Sequence, residues 1–225
     1  MHLDRAVYIL AVALITAGII ILADVGLTLL WQEPISSIYA SVRQHDAESA
    51  LDDLEHDFPT PAGGPRRVRA LAGLFAERVS DGQPIGHIVI PSIDVDIVVV
   101  QGTSTGDLTT GPGHYPQTPF PGQAGTTAIA GHRTTYLAPF RHIDQIEAGD
   151  EIRLEMPYAA FTYIVQRHEV VDPSDVGILR PVGYDQLVMT ACHPPYSASH
   201  RYVVFSKLAR IDLFATSGEG RWVAP

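Results

Sequence analysis

Apolar positions follow three different rhythms along this chain. Residues 6–23 carry no charge and only Thr16 as a polar side chain, and after Asp24 the apolar run resumes through residues 25–31. At about 1.5 Å per residue, twenty-odd apolar residues span a hydrocarbon core of about 30 Å, so residues 6–31 are expected to form a transmembrane helix. A cleaved signal peptide would have a shorter apolar region ending in a small-x-small site, so an uncleaved anchor fits better. Trp31 would sit at the far interface, and Asp24 lies near enough to one end to reach headgroups. Arg5 and the free amine, opposed weakly by Asp4, favour a cytoplasmic N-terminus over residues 1–5.

The second rhythm is helical. Residues 36–54 fit an amphipathic helix made acidic by Asp46, Glu48, Asp52 and Asp53, with Glu55 and Asp57 following. A Pro/Gly-rich stretch, residues 58–65, reads as a tether. Beyond it Arg66, Arg67 and Arg69 head a short helix to about Val79, with Val68, Leu71, Leu74 and Phe75 at helical spacing and able to dock on a domain. Residues 32–82 are therefore expected to be linker plus short helix. From about Gln83 the rhythm shortens to β-rich runs bounded by Gly, Pro and Asp: 86–90, 96–101, 126–131, 151–156, 161–171, 186–192 and 202–211. A short helix is expected over 138–146. So many short runs within residues 83–213 predict a mostly β domain, a closed or nearly closed barrel rather than a βαβ sheet. Residues 214–225 read as a tail.

Composition narrows the function. A formal net charge of -10 leaves no basic face to neutralise phosphates, so nucleic acid is not an expected partner. The single cysteine, Cys192, excludes an intrachain disulfide. It closes the strand-like string Val188-Met189-Thr190-Ala191-Cys192, before a Pro, Ser and His loop, and Arg201 opens the next strand-like run. A lone thiol facing a cation across a loop is arranged for nucleophilic chemistry more than for packing. A cysteine attacks as its thiolate and needs a proton acceptor or cationic neighbours. His132 is the best acceptor, just past the apolar strand 126–131 and behind Gly131, which lets the backbone approach closely. Arg201 is the candidate for stabilising negative charge on a carbonyl oxygen during acyl transfer. Cys192 and His193 make a poor pair of metal ligands, because adjacent strand residues point to opposite faces. Neither a cofactor nor a metal is expected.

A strand ending in cysteine, an arginine opening the next strand and an upstream Gly-His together resemble a sortase. Three longer strings fall in order: Gly111-Pro112-Gly113-His114-Tyr115-Pro116, then Ala130-Gly131-His132-Arg133-Thr134-Thr135-Tyr136 with Ala138-Pro139-Phe140, then Cys192-His193-Pro194 with Tyr196-Ser197-Ala198. These resemble the class E sortases of actinobacteria, over residues 86–211. The resemblance implies an eight-stranded sortase β-barrel with His132, Cys192 and Arg201 as catalytic residues at one rim. Two departures are visible. Sortases commonly carry Thr-Leu-x-Thr before the cysteine, where this chain has Val188-Met189-Thr190-Ala191, so a hydroxyl that could position substrate is missing beside the nucleophile. Leu137 stands where related sequences often have Gly.

The implied reaction is transpeptidation of a C-terminal sorting signal of LAXTG or LPXTG type, cleaved between Thr and Gly through a thioester on Cys192. An amine then resolves the thioester, supplied by a lipid-linked peptidoglycan precursor or a pilin lysine, with His132 moving the protons. The substrate proteins would be surface proteins bearing that signal. Tyr115 and Tyr136 are candidates for reading it, with Thr190 beside the nucleophile and Tyr196 in the loop before Arg201. The enzyme would be a single-pass protein of the cell membrane with its catalytic domain outside. Pilus polymerisation stays open, although Asp57-Phe58-Pro59 does not match the Asp-Pro-aromatic lid of pilin-type sortases and predicts an open groove. An L,D-transpeptidase, which favours Ser-His-Gly-Cys, and an inactive surface scaffold are the remaining alternatives.

Overall fold

The computed structural model describes residues 2–31, 34–58, 64–213 and 221–223. The first apolar run forms helix α1 (His2–Trp31), and its stretch Arg5–Ala23, with mean hydropathy 2.7, is long and apolar enough to cross a membrane. The side chains of Asp24 and Trp31 lie outside the described residues.

Helix α2 (Pro34–Asp57) covers the expected acidic segment, and it packs on the barrel. Ala47 and Leu51 are buried against Val98. Gln44 completes the docking in the manner of a neighbouring strand. Its amide nitrogen donates to the carbonyls of Val98 (3.0 Å) and Thr110 (2.8 Å), and its oxygen accepts from the Val98 N–H at 3.0 Å. Val98 needs such a partner because β2 is paired on that side only at Val100 and Gln101. The tether expected over residues 58–65 falls largely outside the described residues, but Phe58 is buried in the main core.

Helix α3 (Pro65–Arg78) starts with proline in its first turn, where the missing N–H costs nothing. Its stripe Val68, Leu71, Ala72 and Phe75 enters the main core, each large side chain contributing about 1.5–3 kcal/mol of burial. Leu74 departs from the expected stripe: it is 43% exposed. The Phe75 ring packs edge-on against Phe58 and Phe120 and at a steep tilt to Tyr158, with centroids 5.3–5.5 Å apart.

The strands are β1 (Pro84–Ile90), β2 (Val95–Gln101), β3 (Gly113–His114), β4 (Thr126–Gly131), β5 (Glu151–Met156), β6 (Ala159–Val171), β7 (Gln186–His193), β8 (His200–Asp212) and β9 (Arg221–Val223). Their order is β6-β5-β1-β2-β3-β4-β7-β8, and a β6–β8 pairing closes an eight-stranded barrel. The β2–β3 and β4–β7 pairs are parallel and the others antiparallel. The short β9, within the expected tail, adds to β8 opposite Arg210–Asp212.

Strand β7 is apolar at nearly every position because both its faces are covered. Leu187, Met189 and Ala191 point into the main core, whereas Val188 joins a second apolar cluster on the outer face with Ala128, Val171, Val203 and Phe205. The expected helix over 138–146 is reduced to one tight turn, Ile143–Gln145. Tyr136, Leu137 and Ala138 are all left-handed, with φ of 49°, 66° and 44°, so helical backbone cannot start there.

Candidate active site

Strand register assembles the site. In the parallel β4–β7 pair, Ala128, Ala130 and Gly131 face Val188, Thr190 and Ala191, so His132 comes level with Cys192 one step further on. In the antiparallel β7–β8 pair, Cys192 lies directly opposite Arg201. Cβ atoms of directly opposed residues are about 4.5–5.5 Å apart. The three residues picked out in the sequence thus form one row across three adjacent strands, at the end of the outer face.

Alternation decides what lies on that face. Cys192 is half-buried there, with Thr190 and Val188 behind it on the same strand. Ala191, 2% exposed, points the other way into the main core. The concern that Ala191 removes a substrate-facing hydroxyl is therefore corrected, because a hydroxyl at 191 would face the core. Thr190 is on the outer face with Cys192 but is buried there, its Oγ1 2.9 Å from the Tyr115 hydroxyl. Tyr115 also packs on the outer apolar cluster with Ile178 and Leu179. Val188, Thr190 and Phe205 are buried on this outer face, and Tyr115, Ile178 and Leu179 form its partly exposed cover.

His132 is half-buried, and its Nε2 is buried with no hydrogen-bond partner among the described residues. Burial disfavours the imidazolium and holds its pKa below the ordinary 6.5. Tyr136 packs against it, ring centroids 5.1 Å apart at 39°. Gly131 is required just before it. A Cβ there would lie 2.5 Å from the Phe140 ring, and the Phe140 N–H donates to the His132 carbonyl at 3.1 Å. The close approach expected at this glycine is thus made by an aromatic ring. The left-handed φ of Leu137 explains a glycine preference at that position.

Arg201 Nη1 donates to the carbonyls of Ala198 and His200, both at 3.0 Å, which ties the β7–β8 loop to the row. Its Nε and Nη2 make no hydrogen bond with a described residue. Tyr196 is placed differently from expectation. It is 63% exposed and lines a separate cleft with Arg133, Thr134 and Asp144, not the outer face of Tyr115 and Thr190.

Sequence reasoning missed what lies immediately behind the row. Arg133, 3% exposed, follows His132 and points to the core side. It is ion-paired with Asp144 at 2.6 Å, donates to His193 Nδ1 at 2.8 Å and lies over the Tyr202 ring at 5.8 Å. A guanidinium only donates, so His193 Nδ1 accepts and its proton sits on Nε2. The neighbours of His132 and Cys192 are thus joined to each other across β4 and β7. The available signal was their adjacency to the two candidates, on the alternate face. Among the described residues, no group of three or more His, Cys, Asp or Glu side chains is placed to hold a metal ion.

The chain matches the sortase domain family over residues 88–209, more than half of its length. It is 35% identical over 130 residues to sortase D of Bacillus subtilis, covering 56% of this chain and 64% of that protein. It is 31% identical over 211 residues to sortase SrtE1 of Streptomyces coelicolor, covering 86% of this chain and 54% of that protein. The chain thus spans less than two thirds of the length of both relatives. The crystal structure of sortase E1 from Streptomyces coelicolor with a tripeptide in its active site superposes with a TM-score of 0.57 at 30% identity, covering 61% of this chain and 95% of that one. Class E enzymes are therefore among its relatives, as the three sequence strings suggested. The matched segment runs from β1 into β8 and contains every member of the row, and on that match the chain belongs to the sortase family.

Proposed function

We propose that this protein is a membrane-anchored cysteine transpeptidase that cleaves a C-terminal sorting signal between Thr and Gly and transfers the new carboxyl end to an amine. The observation that carries the reading is the alignment of His132, Cys192 and Arg201 in one row beside the outer-face apolar cluster. His132 takes the Cys192 thiol proton as the sulfur attacks the threonine carbonyl carbon. The C–N bond then breaks as His132 gives a proton to the leaving glycine nitrogen, and a thioester remains. The acceptor nitrogen attacks the thioester, His132 takes its proton, and the thiolate leaves. Arg201 stabilises the negative oxygen in both steps.

The outer face suits an LAXTG-type signal of a surface protein. Three residues upstream of the threonine is about 10 Å in extended chain, which sets the signal's leucine over the outer-face apolar cluster and its cover of Tyr115, Ile178 and Leu179. Tyr115, bonded to Thr190, flanks the peptide near Cys192, and Tyr136 backs His132. Helix α1 serves as a single-pass anchor with residues 1–5 cytoplasmic, and residues 83–213 form the catalytic domain outside the membrane. The test uses the full chain in detergent with a fluorogenic LAXTG peptide. Intact mass should show a Cys192 thioester that a small amine converts to the amide product, and Cys192→Ala should abolish both. A folded protein that acylates with neither an LAXTG nor an LPXTG peptide would refute the enzyme reading.

A further inference from the structure

Two open clefts lie on the other side of the rim from the outer-face cluster, and they share Arg141 and His142. One, of about 320 Å³, runs between the residues that follow His132 (Arg133, Thr134) and those that follow Cys192 (Pro195, Tyr196). The other, of about 420 Å³, continues past Arg141 to Asp94 and Asp96. Most charges here are already matched. Arg133 is paired with Asp144, and Asp96 with His87. Asp94 is exposed and makes no ion pair with a described residue, and neither does Arg141. The Arg141 side chain makes no hydrogen bond with any described residue either, and its Nη1 is buried without a partner. A buried guanidinium N–H without an acceptor is costly, and the acceptor that fits the guanidinium fork is a carboxylate.

We propose that this trough is the acceptor site, and that Arg141 holds an acceptor amine through a free carboxylate on the same residue. The inference rests on the transpeptidase reading. During resolution of the thioester the sorting signal still covers the outer face beside Cys192, over Tyr115 and the apolar cluster. The second substrate must then come over the rim from the opposite side, where its nitrogen can reach both the thioester and His132. The trough is lined by the residues that follow each catalytic candidate, Arg133 and Thr134 after His132, and Pro195 and Tyr196 after Cys192. Its chemistry selects an amino acid with a side-chain amine and an unblocked α-carboxylate. A lysine inside a protein chain has no free carboxylate and is disfavoured, so the site favours a short wall peptide over a pilin as acceptor.

The test compares two acceptors with the same amine, Nα-acetyl-lysine and its carboxamide. The full chain in detergent is first loaded with the LAXTG peptide, and the thioester is verified by intact mass. The ratio of amide product from the two acceptors is then read within each variant, so that differences in acylation cancel. The wild type should prefer the carboxylate by about tenfold, the order expected for a charge-assisted hydrogen bond. Arg141→Gln should bring the ratio to about one, and Arg141→Lys should keep part of the preference. A thioester resolved equally by both acceptors in the wild type overturns the acceptor site while leaving the transpeptidase reading intact. So does an Arg141→Gln protein that keeps the preference. Failure to form any thioester overturns the proposed function, and the acceptor site with it.

Discussion

Gly131 offers the sharpest link between packing and chemistry. In Gly131→Ala the new methyl group would lie 2.5, 2.7 and 2.9 Å from Cδ2, Cε2 and Cγ of Phe140. Carbon atoms pack best at about 3.5–4.0 Å, so ring and strand must separate by about 1 Å. The ring cannot simply swing away, because Phe140 is fully buried in the main core with Ile143 and Ile146. The displacement is expected to cost about 1–3 kcal/mol of stability, as overpacking does. In a domain of this size each kcal/mol lowers Tm by about 2–4 °C. The effect on rate should be larger than on stability. The Phe140 N–H is bonded to the His132 carbonyl, so the shift passes directly to the candidate acid–base, and misplacement by about 1 Å can cost about 100-fold. The assay is thioester formation with the fluorogenic signal peptide, alongside thermal unfolding of the full chain in detergent. Gly131→Ala with Phe140→Leu removes the clash and should be faster than Gly131→Ala alone. A Gly131→Ala protein with wild-type Tm and wild-type acylation rate would refute the reasoning. A double variant no faster than the single one would also refute it.

The other predictions concern groups around the same rim. His114 is fully buried against Gln101, Thr118 and Phe120, and burial pushes its pKa from 6.5 down to about 4 despite its bond to the Pro119 carbonyl. The unfolded chain binds this proton near 6.5 and the folded chain only near 4, so the contribution is complete above 6.5 and is lost as pH falls through that window. Urea unfolding should show a loss of about 3 kcal/mol across it, and His114→Gln should flatten the slope; an unchanged slope would assign the acid sensitivity elsewhere. Arg133→Met leaves Asp144 and His193 without their shared partner and should slow acylation at least about tenfold through looser placement of His132 beside Cys192, with a fall in Tm of a few degrees. Wild-type acylation in that variant would show that the link behind the row does not position it. Ala191→Ser should lower Tm, because it buries a hydroxyl in the core, and should alter acylation by less than about threefold. A large rate change at constant Tm would place residue 191 on the substrate side.

How much of this was legible beforehand depended on the range of the interactions concerned. The seven longer strands were readable from apolar runs between Gly, Pro and Asp, because period-two burial is local. The two-residue β3 was not readable, since its pairing with β2 and β4 is a property of the closed barrel and not of Gly113-His114 itself. The turn at 138–146 looked helical in composition, yet three successive left-handed residues prevent it. For the acidic segment the pattern gave a helix but not its docking. Gln44 acts there as a surrogate strand partner, through contacts 54 and 66 residues away in sequence.

The candidate row divides in the same way. Sequence alone determined its residue types: one thiol, a histidine after an apolar strand behind glycine, and an arginine opening the strand that follows the cysteine. It also determined the apolar N-terminal helix. Tertiary structure decided which side chains meet and on which face. Parallel register between β4 and β7 brings His132 level with Cys192, and the twofold alternation of a strand sends Ala191, Arg133 and His193 to the opposite side. Those assignments depend on pairings between segments sixty residues apart, and closure of the barrel fixes the pairings.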